Sequence, residues 1–270
     1  QRRNLIIGVF VLLLAVIGIY LLINLQTYTT ARVSDVYPIS GAGNNNYLQF
    51  EDGVLKYSRD GISYLNKKGE EEWNQSYQIK TPDVVLGHSS AVVYDRSGND
   101  IMVLQKDGVK GEFETNMPIE RISVSGQGIV GAILKNGESA MVMCYDAKGN
   151  IIVEHKTSLS GTGYPMDVAM SDDGKTMQVL YLYTQEGKIT SKVIYYNFGE
   201  AGEEETDHQV LEKQYENTIM ASGFYMDDMT SVAIGDNQMS IFQGNDKPKE
   251  TASVKIDKEI KSVFHSDQYI

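Results

Sequence analysis

Gly126-Gln127-Gly128-Ile129-Val130-Gly131 spells GxGxxG, and Asp146 lies about twenty residues further on, where a dinucleotide-binding fold places its ribose carboxylate. That chemistry needs a helix whose free N–H groups face a pyrophosphate. The next residues instead read IVGAIL closed by Asn136-Gly137, the pattern of a strand and a hairpin turn. The expectation is a bulged inter-strand turn whose glycines let neighbouring backbones approach.

The other residue types capable of chemistry are scattered. His88, His155, His208 and His265 stand far apart, outside any HExxH or His/Cys cluster, and read as surface or loop histidines. Asp95 to Asp100 (DRSGND) and Asp172-Asp173-Gly174 lack the D-x-D-x-D-G register with a distal Glu that a calcium loop requires, so turn chemistry accounts for both. No serine lies in a G-x-S-x-G elbow, although a triad assembled from distant residues is defined by geometry and has no sequence signature. Cys144, the single cysteine, sits in MVMCYD and reads as a buried, inert thiol. No catalytic, cofactor-binding or metal-ligating residue is assigned, and no cofactor is expected.

The elements that would have to position any site begin with Leu5 to Ile23, LIIGVFVLLLAVIGIYLLI, which carries no charge. At a helical rise of about 1.5 Å per residue it spans roughly 28 Å, the depth of a bilayer's hydrocarbon core. A cleaved signal has a shorter apolar core and a small-residue cleavage site, and Thr29-Thr30-Ala31 is a poor one. A retained transmembrane helix is the expectation, with the bilayer as its partner. Gly8 and Gly18 are too far apart for a GxxxG pairing face. Arg2 and Arg3 precede the span and no charge comes after it until Arg32, so residues 1–4 should be a short cytoplasmic end and the remainder extracytoplasmic.

The net charge is −12 over 270 residues, and the part beyond the span is more acidic still because Arg2 and Arg3 are excluded from it. Such a surface disfavours nucleic acid and anionic headgroups as partners. With one cysteine, a large exterior domain must be held by its core and not by disulfides, a pattern that suits a Gram-positive surface.

Residues 24–44 read as a Thr/Ser/Gly/Asn linker, in which Val33, Val36, Tyr37 and Ile39 could form a lone strand that Pro38 confines to an edge. From 45 to 270 short β runs alternate with X-Gly turns at Gly53, Gly61, Gly69, Gly98, Gly108, Gly137, Gly149, Gly174 and Gly187, where glycine would supply positive φ. Strands are expected at Val54–Tyr57, Ile62–Leu65, Ala91–Tyr94, Ile101–Leu104, Ile129–Leu134, Ala140–Tyr145, Met177–Tyr183, Lys192–Asn197, Ser231–Ile234 and Met239–Phe242. Tyr181 and Tyr183 read as members of cross-strand pairs. Glu200 to Gln214, the most acidic stretch, reads as a solvated insertion.

The turns closing YLNKKG, VLQKDG and CYDAKG recur at Gly69, Gly108 and Gly149. A period near forty residues with about four strands per unit is that of a β-propeller blade. The fold class is therefore all-β: a propeller of about five blades, with Asp257 to Ile270 starting another. Gln1 is not an initiator methionine and Ile270 closes an apolar stretch, so both ends read as cut and more blades are expected.

The hairpin YPMDVAMSDDGKTMQVLYLY resembles the hydrophobic-x-x-S-x-D-G unit of WD-type blades. Gly69 to Trp73 resembles the G-x-x-x-W of pyrroloquinoline-quinone-type repeats, where the Trp docks between blades; the equivalent stretches after Gly108 and Gly149 read VKGEF and NIIVE, so the likeness is to the architecture and not to the cofactor enzymes. With LKYSRDGISYLNKKGEEEWNQSYQIKTP, MPIERISVSGQGIV and SGTGYPMDVAMSDDG, the whole chain resembles an uncharacterised family of Gram-positive (Firmicutes) single-pass membrane proteins with an exterior propeller. That resemblance implies fold and placement and supplies no functional residue.

The function these features imply is a membrane-anchored binding or scaffolding module for protein or cell-envelope partners. The rival is an envelope enzyme, a hydrolase or quinone-dependent oxidoreductase working from the propeller funnel. The two differ in whether carboxylates or histidines with shifted pKa values gather at that funnel. A sensor signalling through the span would need more cytoplasmic sequence than Gln1 to Asn4.

Overall fold

Both faces of a strand must be buried before its sequence loses polar alternation, and that condition explains which segments here are strongly apolar. The computed structural model describes residues 2–25, 30, 32–33, 36, 44–158, 161–185 and 187–265. The chain divides into two units, residues 1–40 and 41–270, each described by itself.

The first unit contains helix α1, Arg2–Asn24. Across Ile6–Ile23 its mean hydropathy is 3.1 and none of the window is buried against protein, so the helix is long and apolar enough to cross a membrane. Val33 and Val36 are not in a strand, and Tyr37 to Ile39 lie outside the described residues.

The second unit is five four-stranded antiparallel sheets, each a meander of consecutive strands. Sheet 1 holds β1 (Asn46–Phe50), β2 (Gly53–Tyr57), β3 (Gly61–Leu65) and β4 (Glu71–Ser76). Sheet 2 holds β5 (Pro82–Leu86), β6 (Ser90–Asp95), β7 (Asp100–Gln105) and β8 (Gly108–Glu114). Sheet 3 holds β9 (Ile119–Val124), β10 (Val130–Asn136), β11 (Ser139–Tyr145) and β12 (Ile151–Lys156). Sheet 4 holds β13 (Tyr164–Met170), β14 (Thr176–Gln185), β15 (Lys188–Asn197) and β16 (Gln209–Glu216), with the short helix α2 (Glu200–Glu203) and a 3-10 turn (Thr206–His208) before the last. Sheet 5 holds β17 (Met220–Tyr225), β18 (Thr230–Gly235), β19 (Gln238–Gln243) and β20 (Lys249–Lys255).

The ten expected strands are the second and third of each sheet, whose side chains are buried against the neighbouring sheets, on both faces where a sheet has a neighbour on each side. Pairs such as Val92↔Val103, Ile133↔Val142 and Val179↔Ile194 hold their register. Every third strand shifts register against its fourth, at Tyr64/Leu65, Val103/Leu104, Cys144/Tyr145, Tyr195/Tyr196 and Ile241/Phe242. A bulge repeated at one place in each sheet adds local twist, which a radial arrangement of sheets needs.

Four cores lie between successive sheets. Leu55, Tyr64, Val93 and Leu104 join sheets 1 and 2; Val103, Val130, Leu134 and Met143 join sheets 2 and 3. Val142, Cys144, Val179 and Tyr181 join sheets 3 and 4; Leu180, Tyr195, Ala233 and Phe242 join sheets 4 and 5. Among the described residues no core joins sheet 5 to sheet 1. After β20 the chain runs along sheet 5: Ile256 N–H donates to Asn237 O at 2.8 Å and Ile260 N–H to Asp236 O at 2.7 Å. Residues 257–265, expected to start a further unit, carry no strand, and 266–270 lie outside the described residues.

Two of these expectations also need correction. Gln209–Glu216 is strand β16, so the insertion ends at His208; the strand's polar, half-exposed alternation makes it read as loop. The turns at Gly53, Gly61 and Gly98 do not use positive φ at glycine; in the first and last of them Glu51 (φ 47°) and Ser97 (φ 62°) take that conformation instead. At Gly53 the constraint is space, since a Cβ would lie 2.4 Å from Leu65 O. The turn at Gly187 does have φ 76°, while Glu186 before it lies outside the described residues.

The channel between the first strands as candidate binding site

The first strand of a sheet has a neighbour on one side only, so its free edge and alternate side chains face whatever space the sheets surround. In sheets 2 to 5 the first strands β5, β9, β13 and β17 meet one another in sequence order and wall a channel. Two cavities of about 690 and 600 Å³ open along it and share Val85 and Ile122 in their walls.

The larger cavity lies where first strands turn into second strands. Asp167, Asp172, Asp227, Asp228 and His88 line it beside Val124, Met170 and Phe224. Asp167 Oδ2 accepts the Gly223 N–H at 2.9 Å, tying β13 to β17. Burial pushes this carboxyl up to about 6, although the N–H groups of Gly223 and Val168 pull it down. His265 also borders this cavity, its ring stacked on Phe224 with centroids 3.7 Å apart.

Main-chain and side-chain bonds tie the turns on this rim from sheet to sheet. Lys106 Nζ reaches Asp52 at 2.6 Å and Trp73 Nε1 donates to Lys106 O at 2.8 Å, linking sheets 1 and 2. Trp73 also stacks on Tyr64 with centroids 6.1 Å apart, so it sits between adjacent sheets as its motif implies. Ser90 Oγ donates to Gly126 O at 2.7 Å, Gly126 N–H to Asp172 O at 2.9 Å, and Asp173 N–H to Asp228 Oδ1 at 2.8 Å, continuing through sheet 5. GxGxxG is thus a turn between β9 and β10, and a Cβ at Gly126 would stand 2.3 Å from Asp172 Oδ1. The element after that turn is a strand, not a helix.

The smaller cavity occupies the other end. Asp83 Oδ2 accepts the Arg96 guanidinium and the Tyr94 hydroxyl, the latter at 3.1 Å, and Asp83 Oδ1 accepts the Val84 N–H at 3.0 Å. Tyr164 Oη donates to Glu120, and burial with that carboxylate pushes the phenol up to about 12. Arg121, exposed on β9, donates from Nη1 to Glu120 O at 3.0 Å.

Among the residues the sequence singled out, Cys144 is fully buried and burial drives its thiol well above the ordinary range. His155 departs from expectation: it stands in β12, stacks on Tyr196 at 4.5 Å, and leaves a buried Nε2 without a partner. Burial lowers its pKa, and the Asp207 charge works the other way. Tyr181 bonds Tyr196 hydroxyl to hydroxyl at 3.0 Å, and Lys192 sits over the Tyr183 ring at 4.6 Å. Asp167, Arg121, Asp83 and Glu120 have no chemical signature in the sequence, because the stretches that hold Glu120, Arg121 and Asp167 resemble structural motifs and the channel wall draws the four from three separate strands.

Residues 24–270 match the model of a family of unknown function, DUF5711. The chain belongs to that family. No curated protein matches it. Among solved structures, this DUF5711 chain is similar to KlAtg21 in its complex with the coiled coil of AgAtg16, with TM-score 0.56 and 14% identity over 77% of this chain and 68% of that one. It is also similar to Kluyveromyces lactis Hsv2 (TM-score 0.51, 10% identity, 78% and 73% covered) and to a eukaryotic initiation factor (0.54, 8%, 83% and 57%). At these identities the likeness is one of fold, and it agrees with the five radial sheets of a propeller.

Proposed function

We propose that this DUF5711 chain is a binding module tethered to a membrane by α1, with residues 1–4 cytoplasmic and the propeller outside, where it gathers protein or cell-envelope partners on its turns. The observation that carries this reading is the chain of sheet-to-sheet bonds along one rim, from Asp52–Lys106 through Ser90–Gly126 to Asp173–Asp228. Turns tied in this way form one preformed surface, and a preformed surface loses little entropy when a partner docks. Carboxylates outnumber basic residues in those turns, which favours a partner with basic character. The Atg21 neighbour was solved with a protein partner, and that precedent belongs to it alone.

The test is crosslinking in cells with a photoreactive residue at Lys148, in the β11–β12 turn of that rim, and a control at Glu138, in the β10–β11 turn of the opposite one. A discrete partner captured from Lys148 and not from Glu138 is expected; identical capture from both, or none, would overturn the reading.

Asp167 favours the second reading, an envelope hydrolase or oxidoreductase, because its raised pKa and its place in the channel are what an acid catalyst would need. Its hydrogen bond to Gly223 gives it a structural use as well. Turnover at an ordinary enzymatic rate by the purified chain, abolished in Asp167→Asn, would establish the enzyme.

A further inference from the structure

We propose that the smaller cavity, walled by β5, β9 and β13, binds a carboxylate on the guanidinium of Arg121, and that the carboxylate belongs to a ligand with an apolar body. Arg121 stands on an inner strand and is exposed to this space. A guanidinium carries five N–H donors in a planar fork that matches the two oxygens of a carboxylate. One donor is used here, Nη1 on the Glu120 carbonyl at 3.0 Å. Among the described residues no carboxylate lies within ion-pair distance of it.

The other polar groups of the cavity already have hydrogen-bond partners on its own wall. Arg96 and the Tyr94 hydroxyl are bonded to Asp83, and the Tyr164 hydroxyl is bonded to Glu120. Among the described residues Arg121 is therefore the guanidinium of this cavity without a carboxylate partner, since Arg96 has Asp83.

The same inventory sets the charge of the ligand. Asp83 and Glu120 line the cavity, and the field of Arg121 reaches Asp167 further along the channel. The Arg121 fork matches the two oxygens of a single carboxylate, which meets less repulsion from those acids than a phosphate dianion would. Between the charged groups, Val85, Ile119, Ile122, Pro165 and Met166 supply the apolar part of a mixed wall. Its volume of about 600 Å³ is of the size that holds small ligands, roughly 300 to 1,000 Å³. A free aliphatic or aromatic acid and the C-terminus of a peptide ending in an apolar residue share this chemistry. This site goes beyond the partner-binding reading, since it requires neither a membrane nor an occupied rim.

The experiment titrates the full chain in detergent with N-acetyl-leucine and its uncharged twin N-acetyl-leucinamide, and with the peptide Ala-Ala-Leu bearing a free or an amidated C-terminus, each monitored by calorimetry. The acids are expected to bind at least tenfold more tightly than their amides, a preference that salt weakens. Arg121→Gln should lose at least tenfold in affinity for the acids with unchanged affinity for the amides and an unchanged melting temperature. Arg121→Lys, which keeps the charge without the fork, should fall between. Binding of the free acid assigns a small molecule to the site, and binding of the peptide alone assigns a chain terminus. Equal binding of acid and amide, binding of neither pair, or wild-type affinity in Arg121→Gln would overturn the proposal.

Discussion

Asp167 faces the channel, yet its carboxylate is bonded to the main chain of the next sheet, and the two roles make opposite demands on its proton. With the folded pKa near 6 against an ordinary value of 3.8, the folded state holds the proton more tightly than the unfolded one. Its contribution to stability is thus greatest below about pH 4 and is lost as pH rises through 6, by about 3 kcal/mol in all. Asp167→Asn keeps an acceptor for Gly223 without the charge. Denaturant titrations should find the variant more stable than the parent at pH 7 and close to it at pH 4. Asp52 works in the other direction: the Lys106 ammonium, then the Tyr64 hydroxyl, lowers its pKa to about 2, so its support is present above pH 4 and lost on acidification. Trp73→Phe leaves an aromatic ring to stack on Tyr64 and deletes the Nε1–H bond to Lys106 O, and thermal melts should register a loss of about 1 kcal/mol.

At the level of elements, the contrast between the two faces of sheet 5 is testable. Phe242 is fully buried against Tyr195 of sheet 4, their rings 5.1 Å apart, whereas its neighbour Ile241 points to the other face and is half-exposed. Phe242→Ala should cost about 3 to 5 kcal/mol in urea unfolding and Ile241→Ala well under half of that. The same burial logic decides which strands are legible in the sequence. SAVVYD and DIMVLQ are apolar nearly throughout because each strand is covered on both faces, so middle strands stand out as runs. EEWNQS, GVKGEFE and QVLEKQYE are fourth strands, covered on one side and open at an edge, and their alternation of polar residues hides them. The repeat period survives because the bulged end of every third strand falls at one phase of the unit. The channel is not legible: Asp83, Arg121 and Asp167 lie about forty residues apart, and only the radial arrangement of first strands brings them to one wall.

For the whole molecule, a helix apolar on every side belongs to the same chain as five sheets whose four shared cores stabilise the second unit without disulfides. In the proposed function the helix holds those sheets on the outer side of a membrane. A site-specific protease sequence placed between residues 30 and 36, with the protease added to intact cells, tests that claim most directly. The expected result is release of a folded soluble fragment carrying the sheets while α1 stays with the membrane fraction. Cleavage that occurs only after the cells are permeabilised, or sheets that leave with the soluble fraction before any cleavage, would contradict it.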